Sequence, residues 1–146
     1  MEKLKKLGNR IFVDGLAGMA HGLFATLIIG TIIQQIGTLI GGNVGDLIFA
    51  IGKVAAALTG AGIGVGVAYK FKEGSLVVLS AATAGMVGAF ASKILAGAVL
   101  VDGAIVFAGP GEPLGAFLAA YIGIELGHLV AGKTRVDIIV TQVVPI

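Results

Sequence analysis

The sequence predicts an all-α membrane protein with about four transmembrane helices and both ends in the cytoplasm. Three observations carry this. Of 146 residues, 57% are hydrophobic and 12% charged, where a water-soluble domain carries about 25% Asp, Glu, Lys and Arg. No charged residue lies between Gly15 and Gly45, a run longer than the roughly 20 residues a helix needs to cross the hydrocarbon core. The lysines and arginines gather at alternate ends of the apolar segments. Disorder is excluded, because disordered chains are poor in Leu, Ile, Val and Phe and rich in charge. With no cysteine, a disulfide framework and a thiolate metal site are excluded as well.

Residues 1–14 form a basic cytoplasmic tail, followed by a four-span domain over 15–137. The first span is expected at about 15–38, too long for a cleaved signal peptide, with Gly41, Gly42 and Asn43 in the turn after it. The second runs from about Leu47 to Tyr69, is interrupted by Lys53, and ends at Lys70, Lys72 and Glu73. The third, about 74–101 with Lys93 inside it, exceeds one membrane crossing, which implies tilt or a break near Gly85 and Gly88. The fourth, about 113–131, contains Glu125, with Pro113 near its first helical position. Residues 138–146 (IIVTQVVPI) read as the start of a fifth apolar segment at which the chain stops.

Orientation follows from the positive charges, which collect in cytoplasmic loops. Lys3, Lys5, Lys6 and Arg10 precede span one, Lys70 and Lys72 follow span two, and Lys133 and Arg135 follow span four. The loops at 41–46 and 102–112 contain no Lys or Arg. Topology therefore accounts for the basic balance, and no nucleic-acid partner is expected. A tandem helical-hairpin repeat is suggested by Ala17-Gly18-Met19 and Phe24-Ala25-Thr26, which recur as Ala84-Gly85-Met86 and Phe90-Ala91-Ser92.

Residues 127–134 (GHLVAGKT) satisfy the phosphate-loop pattern GxxxxGK[ST]. That pattern works between a strand and a helix; here it follows a membrane span, so no nucleotide is expected. Glycines four apart, at Gly60/Gly64, Gly62/Gly66, Gly18/Gly22 and Gly123/Gly127, let helix backbones approach closely. The alternative for the glycine run in span two is an unwound stretch that contacts a substrate.

Ionisable groups within spans are the candidate site, because a charge in hydrocarbon costs roughly 3 kcal/mol and faces a cavity or partner. Tyr121, Glu125 and His128 fall at i, i+4 and i+7, one polar stripe on span four. His21 lies beside Gly18 and Gly22. Counted inward at 1.5 Å per residue, His21 and Glu125 reach a similar depth of about 10 Å, where a His and a Glu bind sugar hydroxyls or exchange a proton. The structural alternative is a hydrogen bond between spans. Lys53 and Lys93 lie toward the outer side, where a long stem lets the ammonium snorkel. With Thr31, Gln34 and Thr38 they outline an outer polar pocket. Glu112, between Pro110 and Pro113, sits in a rigid turn or a re-entrant binding loop. No metal-ligand set and no cofactor motif is found, and no catalytic residue is assigned.

Five segments taken together, GLAGMAHGLFATLIIGTIIQQIG (15–37), LTGAGIGVGVAYK (58–70), AGMVGAFASKILAG (84–97), AGPGEPLGAF (108–117) and GKTRVDIIV (132–140), resemble the N-terminal part of a bacterial membrane family. It is the phosphotransferase-system enzyme IIC-like family, the group that includes the perfringolysin O regulator type. Its members are more than twice as long, so the chain looks like an N-terminal half. Glu112 matches an acidic position in the family's GPG[DE]PLGA stretch. The resemblance implies an inner-membrane transport subunit that binds a sugar-like solute and passes it inward. A separate IIB-type partner would phosphorylate the solute, and a second membrane half or homo-oligomer would complete the unit. Two other classes stay open: a membrane sensor or regulator that binds a ligand without transport, and a structural or channel-like homo-oligomer.

Overall fold

The long apolar run folds as one helix, and it begins earlier than the apolar residues do. In a computed structural model, which describes residues 2–106, 109–130 and 143–146, helix α1 extends over Glu2–Ile40 without interruption. Lys3, Lys5, Lys6 and Arg10 thus lie in the first turns of this helix. Two π-helical turns, at Arg10–Gly15 and Phe24–Ile28, interrupt the α geometry. In them the N–H of Leu16 reaches the carbonyl of Ile11 and that of Ile29 reaches Phe24, bonds five residues long that insert one residue and rotate the faces that follow.

Gly41 ends α1 with φ 70° and Gly42 follows at φ 66°, a region open to glycine at little steric cost. Helix α2 (Gly42–Ala57) therefore starts five residues before the expected span. It meets α3 (Thr59–Lys70) at a 49° bend. Lys53 does not interrupt the helix; the break falls at Leu58. The cause is tertiary. Gly22 packs on Gly62 and Gly30 on Gly52, so between these crossings α1 advances eight residues, from 22 to 30, while its partner advances ten, from 52 to 62. The bend accommodates the excess.

Helix α4 (Ser75–Ala89) ends at Phe90 and is followed by the short α5 (Ala91–Leu95). The break expected near Gly85 and Gly88 is thus one residue beyond Ala89. The third span does not continue as helix to 101. Strands β1 (Leu100–Val101) and β2 (Ala104–Ile105) pair antiparallel with Leu100 opposite Ile105, around an Asp102-Gly103 turn with both φ angles positive, the backbone that two-residue hairpins favour. Helix α6 (Pro113–Val130) closes the described fold with Pro113 at its first position, as expected. The first helix has 39 residues and its supposed repeat, α4, has 15; among the described residues the hairpin repeat finds no counterpart.

Helix α3 is the centre of the bundle, packed against α1, α4 and α6, while α2 lies along the C-terminal half of α1. Its glycines divide the work. Gly62 and Gly66 meet Gly22 and Gly18 of α1, whereas Gly60 and Gly64 meet Gly85 and Ala81 of α4. These are the close approaches that the four-residue spacing predicts. Ile63, Val67, Val77, Phe90, Phe117 and Ile124 fill the core among them. Gly123 and Gly127 of α6 receive Pro145, from the last residues of the chain.

Among the described residues the fold is all-α apart from the two-stranded ribbon. Among the described residues, α1 is long and apolar enough to cross a membrane, and α2 with α3 makes a second such segment as a bent pair. Helices α4 and α6 are apolar and shorter; fifteen residues rise only about 23 Å. Of the phosphate-loop pattern, Gly127–Val130 are helical, which is not the loop that the motif requires. Residues 131–134 of that pattern and 138–142 of the fifth segment lie outside the described residues.

Candidate functional site

Among the described residues, three groups of polar side chains lie along α1. The first joins the helix ends on the side where the chain starts. Arg10, in the first π turn, donates from Nε to Glu125 Oε1 at 2.8 Å and from Nη2 to Glu73 Oε1 at 3.3 Å. His128 Nδ1 lies 2.9 Å from Glu73 Oε2. The guanidinium also sits 3.9 Å above the Phe71 ring, a cation–π contact that favours Arg over Lys. Tyr121 stacks on Phe117 and meets Phe71 edge-on. Glu73 is the buried member, with its side chain only 6% exposed, against 32% for Arg10 and 41% for Glu125. The stripe Tyr121, Glu125 and His128 is thus gathered at one end.

The second group lies where α1 crosses α3. A cleft of about 520 Å³ is lined by His21, Gly22, Ala25 and Thr26 on one side and by Leu58, Gly62, Gly66 and Tyr69 among others on the other. The structure does not bring His21 and Glu125 together. Glu125 is bonded to Arg10, and His21 faces the cleft with Tyr69. Similar depth does not place two residues on facing sides, and α1 presents Gly18 and Gly22, not His21, to α3. At the head of this cleft Thr26 Oγ1 donates to the carbonyl of Gly22 at 2.8 Å and lies 3.2 Å from Thr59 Oγ1, which donates to the carbonyl of Ala56 at 2.6 Å. Thr59 is fully buried. This hydroxyl pair links the second π turn of α1 to the break between α2 and α3.

The third group is a cleft of about 470 Å³ lined by Leu27, Thr31 and Gln34 of α1, by Lys53, Val54, Ala56 and Ala57 of α2, and by Gly109 and Pro110. Gln34 and Lys53 thus line one cleft, and the loop before α6 reaches it. Lys93 lies elsewhere, its ammonium 5.3 Å from the Phe90 ring. Thr38 lines a neighbouring cleft with Asp46. Glu112 ties the loop down: its N–H donates to the carbonyl of Ala89 at 2.8 Å and its Oε1 accepts from Ser92 at 2.9 Å.

The second and third clefts follow one another along the same helix pair. One ends at Thr26 and Leu58 and the other begins at Leu27 and Ala57, so they change over at the double discontinuity. Arg10, Glu73, Thr26, Thr59 and Tyr69 were not among the residues expected in the site. The one local sign for Arg10 is its position apart from the lysines, next to Ile11, Phe12 and Val13.

Fold and site together define a helical membrane protein with solute-sized clefts along its longest helix. The chain belongs to the phosphotransferase system EIIC family, whose model it matches over residues 13–146. This agrees with the resemblance carried by the five segments and makes the chain a membrane component of that transport system. No curated protein and no solved structure matches it.

Proposed function

We propose that the chain is a transport subunit that admits a sugar-like solute at the outer cleft and passes it to the inner one across the Thr26–Thr59 crossing. The observation that carries this reading is the changeover of the two clefts at a π turn facing a helix break. Interrupted helices at mid-membrane are where transporters of several folds bind and release their substrates, and π turns recur at functional sites. In this reading α1, α2–α3, α4–α5 and α6 cross the bacterial inner membrane with both ends cytoplasmic. Arg10, Glu73, Glu125 and His128 then close the cytoplasmic end, below His21 and Tyr69. A second membrane half or another copy covers the open side of the clefts, and a separate IIB-type protein phosphorylates the solute.

The natural absence of cysteine makes topology directly measurable. Single cysteines at Asn43 and Asp102 are expected to react with a membrane-impermeant maleimide in intact cells, and cysteines at Lys5 and Lys72 only after permeabilisation. Protection of Asp102→Cys from outside reagent would mean that α4 and α5 do not complete a crossing. Thr26→Leu, which places a larger apolar group at the changeover, is expected to stop solute uptake while leaving the labelling pattern intact. Ligand binding without accumulation in proteoliposomes would point instead to a sensor.

A further inference from the structure

We propose that the outer cleft recognises the negatively charged group of an acidic, polyhydroxylated solute, with Lys53 supplying the charge and Gln34 and Thr31 the hydrogen bonds. The inference rests on the transport reading above and concerns the class of substrate. Lys53 is a cation within the membrane-embedded helix pair, and among the described residues no carboxylate lies within ion-pair distance of it. Its recorded neighbour is the Phe49 ring, 5.7 Å from the ammonium. The acidic groups at this end are engaged or placed elsewhere: Glu112 is bonded to Ser92, Asp46 lines the next cleft, and Asp102 is in the β-turn.

The remaining lining sorts by hydrogen-bond role. The Thr31 hydroxyl donates to the carbonyl of Leu27 at 2.8 Å, so what it offers the cleft is lone pairs, suited to a solute hydroxyl. The Gln34 side-chain amide has no partner among the described residues, while its backbone carbonyl accepts from Thr38. It presents two donors and an acceptor. A cation, an amide and an acceptor along one wall match a carboxylate or phosphate joined to a hydroxylated chain better than they match a neutral sugar, which would leave Lys53 without a counter-charge.

The test is equilibrium binding to the purified full chain, using radiolabelled gluconate, glucuronate, glucose and sorbitol, with potassium chloride at matched ionic strength. The acids are expected to bind and the neutral polyols to compete weakly. Lys53→Gln should weaken acid binding about tenfold or more, as expected for loss of a charge-assisted hydrogen bond, and Lys53→Arg should retain most of it. Equal binding of glucose and gluconate, or acid binding unchanged in Lys53→Gln, overturns the inference and leaves the transport reading intact. Uptake of neutral sugars with no acid binding also overturns it. If no sugar or sugar acid is bound or accumulated, the transport reading itself fails and this inference falls with it.

Discussion

Arg10→Gln is expected to destabilise the protein by about 2 kcal/mol, a loss that unfolding in detergent will register. The argument turns on Glu73. Its side chain is 6% exposed and is held by Arg10 at 3.3 Å and His128 at 2.9 Å. Removing one partner of a fully buried ion pair costs about 3–5 kcal/mol, because the charge left behind stays out of water. The cost here is smaller: Arg10 and Glu125 are 32% and 41% exposed, and solvent screens exposed pairs strongly. Arg10→Lys should fall between, since an ammonium neither forks to two carboxylates nor stacks flat on Phe71. Adding Glu73→Gln to Arg10→Gln should restore part of the loss, because the stranded charge goes with it. Unchanged stability in Arg10→Gln would show that the network holds nothing together, and would remove it as the closure proposed for this end of the bundle.

How much of this was legible in sequence depends on the range of the interaction. The apolar run of α1 and the start of α6 at Pro113 are local signals; the run is helical throughout, though its helix begins at Glu2, and α6 starts at Pro113. The small-residue stripes are local too, since residues four apart share one helix face. That α3 uses one stripe for α1 and another for α4 is also consistent with the two-residue offset between Gly60/Gly64 and Gly62/Gly66. The break at Leu58 carries only a weak local sign, Thr59-Gly60 with no proline; its position also matches the register of α1 some thirty residues away. The Arg10 network is more remote still, joining residues 63 and 115 apart in sequence. Depth counting paired Glu125 with His21, whereas its partner is Arg10, eleven residues before His21 on the same helix. The Asp102-Gly103 turn carried a hairpin signal, masked by the apolar residues on either side.

Gly22→Ala is the second large effect expected, and it reports on fold and function together. A Cβ built at Gly22 would lie 2.6 Å from the backbone nitrogen of Ile63 and closer still to Gly62. The obstacle is backbone, so no rotamer change relieves it, and the opposing residue is already glycine, so no smaller partner exists. The helices must separate, with a cost of about 1–3 kcal/mol typical of overpacking. Gly8→Ala is the matched control in the same helix. Nothing lies within 4 Å of a Cβ at Gly8, and alanine there should stabilise α1 by about 0.5–1 kcal/mol through helix propensity. Because Gly22 also forms the wall of the cleft beside His21 and Thr26, the separation that costs stability also reshapes the route proposed for the solute. Gly22→Ala is therefore expected to lower both the unfolding midpoint and uptake, whereas Gly8→Ala lowers neither. A Gly22→Ala protein with the stability of the parent would mean that α1 and α3 do not touch at this crossing, and the changeover between the clefts would lose its framework.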